Sequence, residues 1–151
     1  MNRLAPARRE RGGTLVEFAL VAPLLIMLIM AALELSIVFW VNLSLQHAVR
    51  EGARYAVTGQ GGAQREELAL HRIVEQSMGL YLRVQPVLSI NRADAPADLA
   101  QVAPGTMGDG GALLVLQVDG AWPVASPLLQ LWLGSVYRFR VAATMRNEAF
   151  E

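Results

Sequence analysis

One long apolar run, Gly12 to Val41 (GGTLVEFALVAPLLIMLIMAALELSIVFWV), limits what this chain can become. From Phe18 to Leu33 it contains no charged residue, which exceeds the ~7 to 15 residues of a secretory signal's apolar region. At ~1.5 Å per residue, Leu15 to Glu34 covers roughly 29 Å, close to the ~30 Å hydrocarbon thickness of a bilayer. The run therefore reads as a membrane-spanning helix over about 15–41, with Glu34 at the far boundary and Trp40 in the interfacial belt that favours amphipathic rings. Ahead of it, residues 1–12 hold four arginines and one glutamate, a local +3, so the remainder carries −3 of a total of zero. A basic leader before an apolar helix places the N-terminus in the cytoplasm and the C-terminal part of the chain on the other side.

The composition narrows the chemistry. With no cysteine, disulfides, thiolate metal sites and cysteine nucleophiles are excluded. No basic stripe follows the leader, so no nucleic-acid partner is expected. His47 and His71 are far apart and lack nearby carboxylate or cysteine partners, which argues against a metal site. The GDGG of Gly108 to Gly111 is turn chemistry rather than a calcium loop, and no phosphate-binding or nucleophile-elbow string occurs. The expectation is a non-enzymatic protein without cofactor or metal.

Beyond the span, no helix breaker appears before Thr58, and Leu45, Ala48, Val49, Gly52, Tyr55 and Ala56 fall near one helical face. A single rod from Gly13 to Thr58 is expected, ended by Gly59, Gly61 and Gly62. Gln64 to Met78 reads as a second, amphipathic helix, with Leu68, Ile73, Val74 and Met78 inward and Arg65, Glu66, Arg72 and Glu75 outward. Past Gly79 the period falls to two. Val84, Pro86, Leu88 and Ile90 suggest a first strand pushed toward an edge by Pro86, and Ala112 to Asp119 a central strand. The Pro- and Gly-rich Ala93 to Gly111 reads as a long loop, and Ala121 to Gly134 as an irregular or short helical link whose Trp122, Pro123 and Trp132 cap the core. In the last strand Tyr137, Phe139, Val141, Ala143 and Met145 face inward, with Arg138, Arg140, Thr144 and Arg146 outward. The predicted fold is α+β: a long N-terminal transmembrane helix carrying a small domain with a second helix and a three- to four-stranded antiparallel sheet. Its parts are a basic leader (1–12), the helix (13–58) and the outer domain (59–151).

Glu17 stands out, because a carboxylate within an apolar helix costs on the order of 3 kcal/mol at mid-bilayer and less toward the interface. A plain reading has it near the cytoplasmic edge, snorkelling outward. Its neighbours suggest more: a basic leader, Gly12, then Gly13 to Val16, Glu17 and Phe18 entering a long apolar helix resembles the start of class III, or type IVb, prepilins. The resemblance continues through LQHAVREGARYAV and the terminal ATMRNE to the TadE family of minor pseudopilins of the tight-adherence (Tad/Flp) pilus system, while residues 63–135 match only in layout.

The resemblance implies removal of the leader by a prepilin peptidase between Gly12 and Gly13, a bacterial inner-membrane location with the C-terminal domain in the periplasm, and partners among pilins, pseudopilins and the Tad assembly platform. Cleavage there makes Glu17 the fifth residue and leaves a new α-ammonium at Gly13, with which the Glu17 carboxylate of a neighbouring subunit can pair. The tandem glycines also permit a cut one residue later. Three further positions bear on helix packing. Glu34 is either a solvated interfacial acid or a second pairing site; Pro23 is a kink or a local melting point; Gly52 permits close approach of another helix or, more simply, of the sheet. A rival reading is an uncleaved single-pass inner-membrane anchor that presents a periplasmic scaffold or binding module.

Overall fold

The computed structural model describes residues 11–59, 62–93, 103–104 and 107–149. Its organising element is α1, Arg11–Val57, a 47-residue helix with Pro23 inside it, roughly 70 Å long at the α-helical rise. This is the expected rod to within two residues at either end.

Two regimes divide α1. From Leu15 to Met30 the large side chains are exposed apolar groups, Leu20 at 73% and Phe18 at 71% among them. From Ala31 onward one stripe disappears into the protein: Ala31, Val38, Val41, Leu45, Ala48, Val49, Ala53 and Ala56 are all buried. Their spacing of three and four keeps them on one face of a 3.6-residue helix. Among the described residues, only the outer half of α1 has a protein partner.

That partner begins after a short 3-10 turn, Gly62–Gln64, with α2 (Arg65–Gln76) and the one-turn α3 (Leu80–Arg83). Four strands come next: β1 (Val87–Ala93), the two-residue β2 (Ala103–Pro104), β3 (Leu113–Pro123) and β4 (Val136–Arg146), with α4 (Pro127–Leu133) between the last two. They form one antiparallel sheet ordered β2-β1-β3-β4. Leu114, Leu116 and Val118 of β3 and Phe139, Val141 and Ala143 of β4 join the α1 stripe, Ala69 and Ile73 of α2, and Leu80, Tyr81 and Val84 in a single core. The fold is α+β, a long helix carrying a second helix and an antiparallel sheet.

The expected faces of β4 are the observed ones, and β3 is central. Elsewhere the period misleads. Met78 is 76% exposed because the chain turns left-handed there (φ 51°) beyond the end of α2. Val84 is not a strand residue: it ends α3, is fully buried, and its carbonyl accepts the Ala121 N–H at 2.8 Å. Pro86 precedes β1, whose first half has β3 alone as a neighbour among the described residues. Asp119 lies within β3, where Arg140 Nε donates to it at 2.7 Å. Part of the expected 93–111 loop, including Asp94 and Asp98, lies outside the described residues.

Candidate functional site: the long helix and the domain docked on it

Gly12 and Gly13 both lie in the first turn of α1, directly after Arg11. A Cβ placed on Gly13 would meet nothing within 4 Å among the described residues. The first turn of a helix has amide groups without intrahelical acceptors and is the least costly part to unwind, which a protease needing extended backbone must do here. Residues 1–10 of the basic leader lie outside the described residues.

Glu17 is exposed on the uncovered half of α1, and among the described residues it has no hydrogen bond or ion pair. It sits one helical turn after Gly13 on the same face, and helical side chains lean toward the N-terminus. Its carboxylate is thus aimed at the level where cleavage would create an ammonium group. Pro23 lies further along the same exposed half and leaves the Ala19 carbonyl without its usual amide donor.

Glu34 is different: it is half-buried and has partners within its own chain, a contact that neither sequence reading includes. Its two carboxylate oxygens accept the backbone N–H groups of Ala125 and of Ser126, the latter at 2.7 Å. These donors open α4, whose N-cap is Ser126 and whose first residue is Pro127. A carboxylate that accepts two backbone amides, one on each oxygen, makes two charge-assisted hydrogen bonds. The sequence carries a signal for this: Glu34 falls in register with the stripe Ala31, Val38, Val41 and Leu45, so it has to face the domain.

Gly52 permits a close approach, but of α2 rather than of the sheet. A Cβ on it would overlap Ile73 Cγ1 and lie 3.1 Å from the Ala69 carbonyl oxygen. In the same segment Tyr55 is half-buried, with the Arg72 guanidinium 5.9 Å above its ring. The REGARYA stretch is therefore the seat of α2.

The terminal ATMRNE is a fastening. Asn147 is buried, and its Nδ2 donates to the carbonyls of Met107 and Asp109 at 2.8 and 2.9 Å. One residue later the Glu148 N–H donates to the Val57 carbonyl at 2.9 Å, satisfying an acceptor at the C-terminus of α1. Arg65, which the amphipathic pattern puts outward, is buried and donates to the Gly108 carbonyl at 2.8 Å. Burial pushes its pKa down, opposed by the nearby Asp109 charge. Trp122 is half-buried against the core as expected, whereas Trp132 is 86% exposed and caps nothing.

Of the six positions singled out in the sequence, Gly13 and Glu17 share a face at the uncovered end, and Glu34 and Gly52 share the docked face; Gly12, in the first turn, and Pro23 join neither group. Among the described residues no three His, Asp or Glu side chains cluster as metal ligands. α1 is long and apolar enough to cross a membrane. No curated protein matches the chain, and no solved structure does. Residues 12–54, the segment holding all six singled-out positions, match the model of the family described as TadE-like protein.

Proposed function

We propose that this protein is a minor pseudopilin, cut by a prepilin peptidase between Gly12 and Gly13 and used in assembling a Tad pilus for adherence. The TadE-like segment supports association with that pilus system. The observation that carries the finer reading is the division of α1: one half is sheathed by its own domain, and the other is an exposed apolar helix with a single acid, Glu17, near its start that has no partner among the described residues.

Hydrolysis of the Gly12–Gly13 amide releases the basic leader and leaves Gly13 with an α-ammonium. In the membrane the bare half of α1 is solvated by lipid; in an assembly it packs against the same half of other subunits. A buried carboxylate is tolerated there only with a cation. At ~4 Å the attraction is about 1 kcal/mol in water and about 4 kcal/mol at the effective dielectric of a partly buried site. Geometry allows Glu17 to meet the ammonium of its own chain, one turn away, before assembly, and that of a neighbour afterwards. The exchange of one partner for the other keeps the charge paired throughout. The outer domain, which has no catalytic role in this scheme, selects other pseudopilins and the assembly platform, on the periplasmic face of the inner membrane.

The test is the mass of the mature N-terminus in cells with and without the prepilin peptidase. Loss of residues 1–12 only when the enzyme is present is the expected result. An intact N-terminus in both strains overturns processing and leaves an uncleaved membrane anchor. Loss of Gly13 as well would place Glu17 fourth and weaken the proposed pairing.

A further inference from the structure

Between Asp119 and Arg138 the chain carries no charged side chain, and α4, PLLQLWL, sits in the middle of that stretch. None of its residues is buried; Leu131 is 81% exposed and Trp132 86%. An isolated exposed leucine is ordinary, but adjacent, almost fully exposed leucine and tryptophan side chains on a helix whose other leucines are half-buried mark a contact surface.

Its position says what it contacts. The bonds from Ala125 and Ser126 to Glu34 fix the start of α4 against α1 at the level of Glu34. Met30, Leu33 and Ile37 of α1 line one apolar hollow with Trp122, Pro123 and Pro127. The apolar exterior of α1 continues past that level through Phe39, Trp40 and Leu43, and after Glu34 the next charged residue of α1 is Arg50. Leu15 to Leu43 spans roughly 43 Å of helix, the thickness of a bilayer with both headgroup layers. With Leu15 at the inner hydrocarbon edge, the outer edge falls near Glu34, and the outer headgroup layer, roughly 5–7 Å deep, covers the next one to one and a half turns. α4 is tied into that layer.

We propose that α4 is an interfacial foot: it lies in the outer headgroup layer of the bilayer that α1 crosses, with Leu131 and Trp132 against the acyl chains and Glu34 as the tie. Tryptophan is favoured at this depth, and a short apolar segment without charge needs no other partner there. The contact fixes the rotation of the domain about α1, and it must be given up when the protein is drawn out of the membrane. The inference rests on α1 spanning the bilayer, and the experiment separates the two.

Because the chain has no cysteine, single cysteines can be placed and labelled with an environment-sensitive nitrobenzoxadiazole dye. The sites are Leu131→Cys in α4, Ile26→Cys in the bare half of α1 and Ala142→Cys on the exposed face of β4, with the full chain in vesicles of phosphatidylethanolamine and phosphatidylglycerol. All three side chains are solvent-facing in the protein, so labelling removes no core packing. The dye at residue 131 should be quenched by lipids spin-labelled near the headgroup and be several-fold less sensitive to aqueous iodide than the dye at 142. Equal iodide quenching at 131 and 142, with residue 26 quenched by deep spin labels, overturns the foot and leaves the span standing. A residue 26 that is unquenched by lipid overturns the span itself. Protection of residue 131 that grows with protein per vesicle, without lipid quenching, assigns α4 to a second copy of the chain and also overturns the foot.

Discussion

Gly52→Ala sets two effects of opposite sign against each other, and the structure decides between them. In an isolated helix the change stabilises by about 1 kcal/mol, because alanine has the higher helix propensity. Here the new Cβ would overlap Ile73 Cγ1, lie 3.0 Å from Ile73 Cδ1 and lie 3.1 Å from the Ala69 carbonyl oxygen. Ile73 is fully buried and β-branched, so it has no other rotamer to move into, and the Ala69 oxygen belongs to the α2 backbone. Relief requires α2 to move away from α1, and overpacking of this kind costs about 1–3 kcal/mol. The net expectation is a loss of about 1 kcal/mol, measured by denaturant unfolding of the full chain in detergent. Ile73→Ala alone removes the obstructing atoms and leaves a cavity, for about 2–5 kcal/mol. Combined with Gly52→Ala, the methyl partly fills that cavity, so the double variant should be more stable than the two single losses added together, by at least ~0.5 kcal/mol. A Gly52→Ala protein that is more stable than the parent, or a strictly additive pair, would refute the close approach of α2.

Glu17→Ala should insert into membranes as well as the parent or better, while surface piliation falls; normal piliation would count against the charge-pair role. Glu34→Ala strips the acceptor from two backbone amides, one of them on a buried residue, and should cost about 2 kcal/mol. Hydrogen exchange at Ala125 and Ser126 should speed up, whereas Glu34→Gln, which keeps one acceptor oxygen, should lose less; unchanged exchange in both would remove the tie. The hydrogen bond from Arg140 holds the Asp119 carboxyl below its ordinary range, assisted by Gln117 and the arginine charge and opposed by burial. A depressed carboxylate pKa contributes stability that is present above the unfolded value and is lost as pH falls through the folded one. The Asp119–Arg140 contribution should therefore fade below about pH 4, and the part of the acid loss that Asp119→Asn abolishes should be small, since the pair is largely exposed.

The rod, its single span and the inward face of β4 are readable in the sequence because each is a local periodicity, of 3.6 or of 2, extended over many residues. The features that escape such a reading have partners far away in the chain. Arg65 reads as a surface residue on its own helix, and partners more than forty positions later, the Gly108 carbonyl and the Asp109 charge among them, make its burial tolerable. Asn147 is one polar residue at the end of a strand until Met107 and Asp109 turn back to meet it. Met78 counts as inward only if α2 is extended past its end, since a left-handed residue cannot be seen in a 3.6-residue count. Trp132 reads as a core residue because aromatic side chains usually bury, yet α4 has no second layer above it. At the uncovered end, the pattern of Gly12, Gly13 and Glu17 is legible only as a resemblance, because no contact among the described residues gives Gly13 or Glu17 a role.

The two acids of the apolar run show how one helix can serve two environments. Both carry the same desolvation problem, and the fold solves it for one of them. Glu34 comes at the position where the domain begins to cover α1, and the domain supplies two amide donors. Glu17 comes where nothing covers α1, and the chain supplies no donor among the described residues. An acid satisfied within the fold fixes the domain on its stalk whether the protein stands alone or in an assembly. An acid left unsatisfied, one turn after a peptide bond whose hydrolysis would create a cation, ties the stability of the bare helix to that cleavage. On this logic the charges set the order of events: an unprocessed chain keeps Glu17 at the membrane edge, where water can reach it, and only a chain with a free Gly13 ammonium can take the acid into a packed helical interior.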